Sequence, residues 1–221
     1  MMIEVEHLIK VYRRGEIEVI AIRDVSLKIG KGEFALLIGP SGSGKTTFLH
    51  LLGGIDRPTA GKILVDGRNI SLFNDRELTD YRRKGVGMVF QFFNLVPTLT
   101  ALENVMLPMQ FMGIGRVERK KRAEKLLKEV GMIERKNHYP DEMSGGEQQR
   151  VAIAVAMAND PPIILADEPT GELDTETGME IIKLFKKLNE EGKTVIIATH
   201  DMRLKEYATR ILEIRDGKIT G

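Results

Sequence analysis

The chain contains no cysteine and only 5% aromatic residues. No disulfide framework is available, so nothing points to an oxidising compartment. No apolar run approaches the roughly 18 to 20 residues that a spanning helix needs, and no charged-then-apolar leader with a cleavage site is seen. The expectation is a soluble, intracellular protein that serves a membrane, if at all, through another subunit. Net charge is nearly absent as well. The 33 Lys and Arg against 32 Asp and Glu leave +1, so there is no dominant basic footprint and no nucleic-acid partner is expected. What the 221 residues do have is length for one good core and well-punctuated apolar runs.

The stretches IEVEHLIKVY and VIAIRDVSLKI alternate apolar and polar residues about an RRGE turn, which predicts an antiparallel pair. EFALLI then ends at Gly39 and is followed by a helical TTFLHLLGG. VGMVF (86–90), PIILAD (162–167), TVIIATH (194–200) and RILEI (210–214) have the length of buried strands. With helical patterns such as TETGMEIIKLFKKLNEE between several of them, a parallel sheet with crossover helices is the economical reading. Residues 92–160 differ, holding three helical patterns and no convincing strand, and read as a helical insertion in an α/β core.

GPSGSGKTT (39–47) fits GxxxxGK[ST] in its required setting, after a strand and opening a helix. In such a loop the backbone N–H groups and the helix N-terminus cradle phosphates; Lys45 reaches the β and γ groups, and the Thr46 hydroxyl can ligate Mg²⁺. Nucleotide contacts fall on Gly39, Ser41, Gly42, Ser43, Gly44, Lys45, Thr46 and Thr47. The acidic partner for Mg²⁺ is Asp167, ending IILAD, and Glu168 beside it can orient and deprotonate an attacking water. Taken alone, an Asp-Glu pair before Pro169 also reads as a surface turn. His200 and Gln91 each follow an apolar strand, where sheet ligands bind. By spacing alone each reads equally as a satisfied polar residue.

A second glycine pair opens the helix at MSGGEQQR (143–150). Ser144 and Glu147 have capping-box spacing, and VAIAVAMA is apolar all round, so the helix should be capped and buried. Gly145 and Gly146 lower helix propensity, which makes sense if something must approach the backbone closely.

In combination these motifs resemble the ATP-binding-cassette (ABC) ATPase family over essentially the whole chain. GPSGSGKT is similar to its Walker A, Gln91 to its Q-loop, MSGGEQQR to its signature, IILADE to its Walker B with catalytic Glu168, GELD (171–174) to its D-loop, and His200 to its switch histidine. The resemblance implies a P-loop NTPase (RecA-like) α/β core with an N-terminal antiparallel β subdomain and an inserted α-helical subdomain. Residues 1–221 would form one ABC ATPase domain, with 1–91 and 161–221 as core and 92–160 as the helical subdomain. It implies ATP and Mg²⁺ as cofactors, the metal held by Thr46, Gln91 and Asp167, and catalysis by Glu168, His200, Gln91 and Lys45. Tyr12 sits where the family places an adenine-stacking aromatic. Ser144, Gly145 and Gly146 would meet the ATP of a second copy in a head-to-tail dimer, with Asp174 at the seam. Until then Ser144 would cap its own helix through Glu147.

FNLVPTLTALENVMLP is similar to the subgroup serving lipoprotein-releasing and macrolide-exporter permeases. That implies a cytoplasmic-face subunit attached through a permease. Phe92, Phe93, Leu95, Val96, Met106, Met109 and Met112 read either as an adaptable apolar groove for a permease's coupling helix or as the core of the helical subdomain, and a mixture is expected. Met143 stands where Leu is usual, and Val155 where Arg is common. A GTPase would carry an Asn-Lys-x-Asp element, and none is present. The competing class is a non-transporting ABC ATPase of the cell-division type that regulates a membrane protein.

Overall fold

A computed structural model describes residues 2–15 and 17–220 of the chain. Glu16, in the expected RRGE turn, lies outside the described residues. The expected antiparallel pair is β1 (Ile3–Arg14) with β2 (Ile17–Ile29), in a register that places Tyr12 opposite Val19. Strand β1 also pairs antiparallel with β4 (Ala60–Val65), which carries the short β5 (Arg68–Asn69), giving the order β2-β1-β4-β5.

The second sheet holds β3 (Phe34–Ile38), β6 (Val86–Val89), β7 (Ile163–Asp167), β8 (Thr194–Thr199), β9 (Arg210–Arg215) and β10 (Lys218–Thr220), ordered β10-β9-β3-β8-β7-β6. Strands β6 to β9 and β3 pair parallel, and only β10 runs antiparallel to its neighbour β9. Strands β3, β7 and β8 are buried at every residue. That is why they read as unbroken apolar runs: both faces of a parallel sheet are covered.

One face packs on α1 (Lys45–Leu52) and the antiparallel sheet, through Ala35, Leu37, Phe48 and Leu49. The other packs on α3 (Ala101–Phe111), α4 (Arg116–Glu129), α5 (Gly145–Met157) and α6 (Thr175–Glu190), through Phe34, Leu36, Val105, Ile153 and Phe185. Helix α6 shows how spacing sets this: Gly178, Ile181, Ile182 and Phe185 form one buried stripe. Each fully buried Ile or Phe is worth about 1.5–3 kcal/mol relative to exposure.

Residues 60–84 carry no assignment in the pattern reading. They form β4, β5 and α2 (Asp75–Lys84), which a capping box between Asn74 and Glu77 starts and which buries only Leu78. Its apolar face is Leu78 and Tyr81 alone, too short a stripe to mark a helix in sequence. Among the described residues, no helix is long and apolar enough to cross a membrane.

Candidate active site

Strand β3 delivers the chain into the glycine loop, and α1 begins at Lys45. The glycines have local causes. Gly44 has φ 109°, and a Cβ there would lie 2.5 Å from the Ala21 carbonyl oxygen; one on Gly39 would lie 2.2 Å from that of Ile214. Ser41 and Gly42 are exposed, whereas Ser43 is buried. Lys45 is buried too, and its Nζ donates back to the carbonyl oxygens of Gly39 at 2.9 Å and Pro40 at 3.1 Å. The ammonium thus occupies its own loop, satisfied by carbonyls that an anion would replace.

The end of β7 brings the carboxylate pair to the same place. Glu168 leaves the strand at φ 45°, a conformation costly for a non-glycine residue. Its amide donates to the Ala198 carbonyl at 2.8 Å, and its own carbonyl accepts from Gly171 at 3.0 Å, so the turn is braced on both sides. Glu168 Oε1 lies 3.4 Å from Lys45 Nζ, and Oε2 lies 2.9 Å from His200 Nδ1 while accepting the His200 amide at 3.3 Å. A buried cation, a carboxylate and an exposed imidazole therefore form one cluster.

Asp167 is buried, and its Oδ1 has no hydrogen-bond partner; the Ser43 hydroxyl is likewise buried and unpartnered. Burial pushes the Asp167 carboxyl above its usual range, against the Thr46 hydroxyl that hydrogen-bonds it. An orphaned carboxylate oxygen beside a hydroxyl is a donor set that fits a hard divalent cation retaining its waters. Gln91 is turned elsewhere, its Nε2 donating to Glu172 Oε1 at 2.9 Å. Any metal role for Gln91 requires that contact to be released.

At the start of α5 the expected capping box is formed. Ser144 Oγ accepts the Glu147 amide at 3.3 Å, and Glu147 Oε2 accepts the Ser144 amide at 2.8 Å. The Ser144 amide holds the Glu147 carboxyl below its usual range, helped by Arg135. The glycine pair has two different causes. A Cβ on Gly146 would lie 2.3 Å from Thr177 Cγ2 on α6, so packing within the chain accounts for it; Gly145 meets only ordinary contacts. Asp174 caps α6, accepting the Glu176 and Thr177 amides at 3.0 Å each.

Tyr12, at the end of β1, is 40% exposed and donates its hydroxyl to Asp56 Oδ2 at 2.7 Å. Sequence patterning missed Asp56, which has no motif around it. It also missed Gln149, fully buried on α5, whose Nε2 donates to the carbonyl of Pro169 at 2.8 Å, the residue after Glu168. Three successive polar residues at 147–149 hide which one faces inward.

The apolar residues expected to line a groove divide. Met109 is fully buried, Met106 packs partly on the same core as Leu95, and Phe92 is 70% exposed. The apolar cleft opens elsewhere, a cavity of about 380 Å³ between α2, β6, α3 and α5, with Met88, Phe90, Leu107, Phe111 and Val155 in its wall. On its rim Arg83 Nε and Asn159 Oδ1 are buried without a hydrogen-bond partner.

A strand–glycine-loop–helix unit, its lysine against a strand-end carboxylate two strands away, defines a P-loop NTPase. The ABC transporter family model matches residues 22–171, more than half of the chain, and the chain belongs to that family as an ABC ATPase. It is 54% identical over 212 residues to an uncharacterized ABC transporter ATP-binding protein of Thermotoga maritima, covering 96% of this chain and 91% of that one. It is 46% identical over 220 residues to the lipoprotein-releasing system ATP-binding protein LolD of Aquifex aeolicus, covering 100% and 96%. Among solved structures, the ATP-binding cassette MJ0796, dimeric and bound to ADP and Pi, superposes with TM-score 0.93 at 47% identity, covering 100% of this chain and 97% of that one.

Proposed function

We propose that the chain is the ATP-hydrolysing subunit of an ABC transporter that closes as a head-to-tail dimer around two ATPs and drives a separate permease. Each site would combine Gly39, Ser41, Gly42, Ser43, Gly44, Lys45, Thr46, Thr47, Gln91, Asp167, Glu168 and His200 of one copy with Ser144, Gly145 and Gly146 of the other. Residues 92–160 would be the arm that presents the signature, and Asp174 would lie at the seam. The carrying observation is the start of α5: an exposed Ser144 whose amide donates to its own Glu147 carboxylate, which an incoming γ-phosphate can replace, and whose hydroxyl, accepting the Glu147 amide, still has a proton to donate.

ATP enters by taking Lys45 Nζ from the Gly39 and Pro40 carbonyls. Lys45 then neutralises charge on the β and γ phosphates, while Tyr12 stacks on adenine. Mg²⁺, where bound, would be held by Thr46, Asp167 and a released Gln91 and would neutralise phosphate charge. With Lys45 engaged, Glu168 is free to accept the proton of the attacking water, and His200, already hydrogen-bonded to it, holds that carboxylate in place and faces the γ-phosphate. Loss of the γ-phosphate removes what joins the two copies, and the dimer opens. Ser144→Arg is the test of the composite site: the variant should bind ATP as a monomer, and an unaltered ATP-dependent dimer in sedimentation would refute it.

The permease would seat on the apolar cleft, at the cytoplasmic face of the membrane. Val155 supports this reading, since an apolar residue in the cleft wall stands where Arg is common. The occupant would be a helical segment with an apolar face and a donor for Asn159 Oδ1. The similarity to LolD supports lipoprotein, peptide or drug-like cargo for export or extraction. Phe111 is 63% exposed, so Phe111→Asp should leave folding and basal ATPase intact. It should weaken co-purification with the permease about thirtyfold, from a lost anchor worth about 2 kcal/mol; unchanged capture would move the seat elsewhere.

A further inference from the structure

Asp56, in the loop that leaves the phosphate-loop helix α1, is the centre of a polar network that ends on Tyr12. Its Oδ2 accepts the Tyr12 hydroxyl at 2.7 Å, and its Oδ1 accepts both Lys10 Nζ and the Arg57 amide at 2.7 Å. Lys10 Nζ also donates to the Arg57 carbonyl at 2.8 Å and lies 4.8 Å from the centroid of the Tyr12 ring. From α1 itself, the Thr47 side chain lies beside the same phenol and favours its ionised form, against burial and Asp56. The loop is further sewn to β1, because Thr59 donates its amide to the Ile9 carbonyl at 2.8 Å and accepts the Val11 amide on Oγ1 at 3.0 Å.

This is more than a surface ion pair. The Lys10 side chain is only 12% exposed, so its charge is partly desolvated and its bond to Asp56 is stronger than one in water. Burial opposes ionisation of Asp56, but Lys10, Tyr12 and the Arg57 amide together hold its carboxyl below the usual range. Burial first, and Asp56 second, push the Tyr12 phenol up. At neutral pH a neutral hydroxyl therefore donates to an ionised carboxylate, a charge-assisted bond. A cation over one face of the ring, with Tyr12 as a residue still 40% exposed, leaves room for a base to approach in a fixed orientation.

We propose that Asp56 and Lys10 are positioning residues for the base subsite: by clamping the Tyr12 hydroxyl and ring to the end of α1, they set the span between the purine and the phosphates at Lys45 and Thr46. The proposal rests on the reading that Tyr12 stacks on the base. It predicts that the network acts on the base and not on the phosphates.

The test compares ADP with inorganic pyrophosphate by calorimetric titration of the full chain in Mg²⁺. Asp56→Ala should weaken ADP about three- to tenfold, the worth of an aromatic contact, and leave pyrophosphate within about twofold. Tyr12→Phe keeps the ring but loses the link and should match it, and the double variant should be no weaker than either single one. Asp56→Asn, which keeps an acceptor for the hydroxyl, should fall between wild type and Asp56→Ala, and it carries the test if the alanine variant does not fold. Equal weakening of ADP and pyrophosphate would make Asp56 a mere brace of the loop and overturn the proposal. If Tyr12→Ala weakens ADP selectively while the Asp56 variants change nothing, the network fails and the stacking reading stands. If Tyr12→Ala also changes nothing, the stacking reading fails and the network with it.

Discussion

Glu168→Gln should bind ATP with near wild-type affinity and hydrolyse it more slowly by about 10²-fold or more, the usual worth of a general base. The substitution is unusually clean here. Glu168 sits at φ 45°, and glutamine meets the same backbone cost as glutamate, so the braced turn between Ala198 and Gly171 is kept. A neutral amide is also nearly isosteric, and its oxygen still accepts the His200 amide. What disappears is the negative charge 3.4 Å from Lys45 and the basicity that would take a proton from water. Lys45, no longer held by a carboxylate, should if anything be freer to meet phosphate. ATP would then accumulate unhydrolysed, and the variant should sediment as a dimer with ATP and as a monomer with ADP. Single-turnover hydrolysis and sedimentation velocity on one preparation read both effects, and wild-type turnover would remove Glu168 from its role.

The parts of this site that are legible in sequence are those whose chemistry is local. A glycine loop between a strand and a helix, and two carboxylates ending an apolar run, need no knowledge of distant partners, and the structure brings Lys45, Asp167, Glu168 and His200 together. Buried parallel strands are legible for a related reason, since coverage on both faces leaves nothing polar in the run. What is illegible depends on partners far along the chain. Helix α2 is held by its capping box, by Leu78 and by Tyr81, whose hydroxyl donates to the Leu52 carbonyl at 2.8 Å, a pair too short to read as a helical stripe. Gly146 looks like half of a shared site, yet within the chain it already lies against the Thr177 side chain on α6. Gln91 follows a strand as expected but is turned to Glu172, 81 residues later. The Asp56–Tyr12 bond spans 44 residues with no motif at its acidic end.

Lys45→Ala should abolish measurable ATP binding without unfolding the protein. Lys45 is buried, and its ammonium joins two carbonyl oxygens and one carboxylate, so it is held where phosphate must arrive. Truncating one partner of a desolvated, hydrogen-bonded charge pair costs about 2–5 kcal/mol, roughly 30-fold or more in affinity. ATP carries its largest negative charge at the end Lys45 would meet, and no other cation in the Lys45–Glu168–His200 cluster is permanently charged. Glu168, left with His200 alone, would add repulsion to the loss. Stability should change little, because the unpaired Gly39 and Pro40 carbonyls border exposed residues and can take water, and Glu168 keeps the His200 amide and ring as partners. Calorimetric titration with ATP, alongside thermal unfolding of the unliganded variant, separates the two effects. An unaltered melting temperature with undetectable binding is the expected pair, and normal binding would overturn the assignment of residues 39–47 as the phosphate loop.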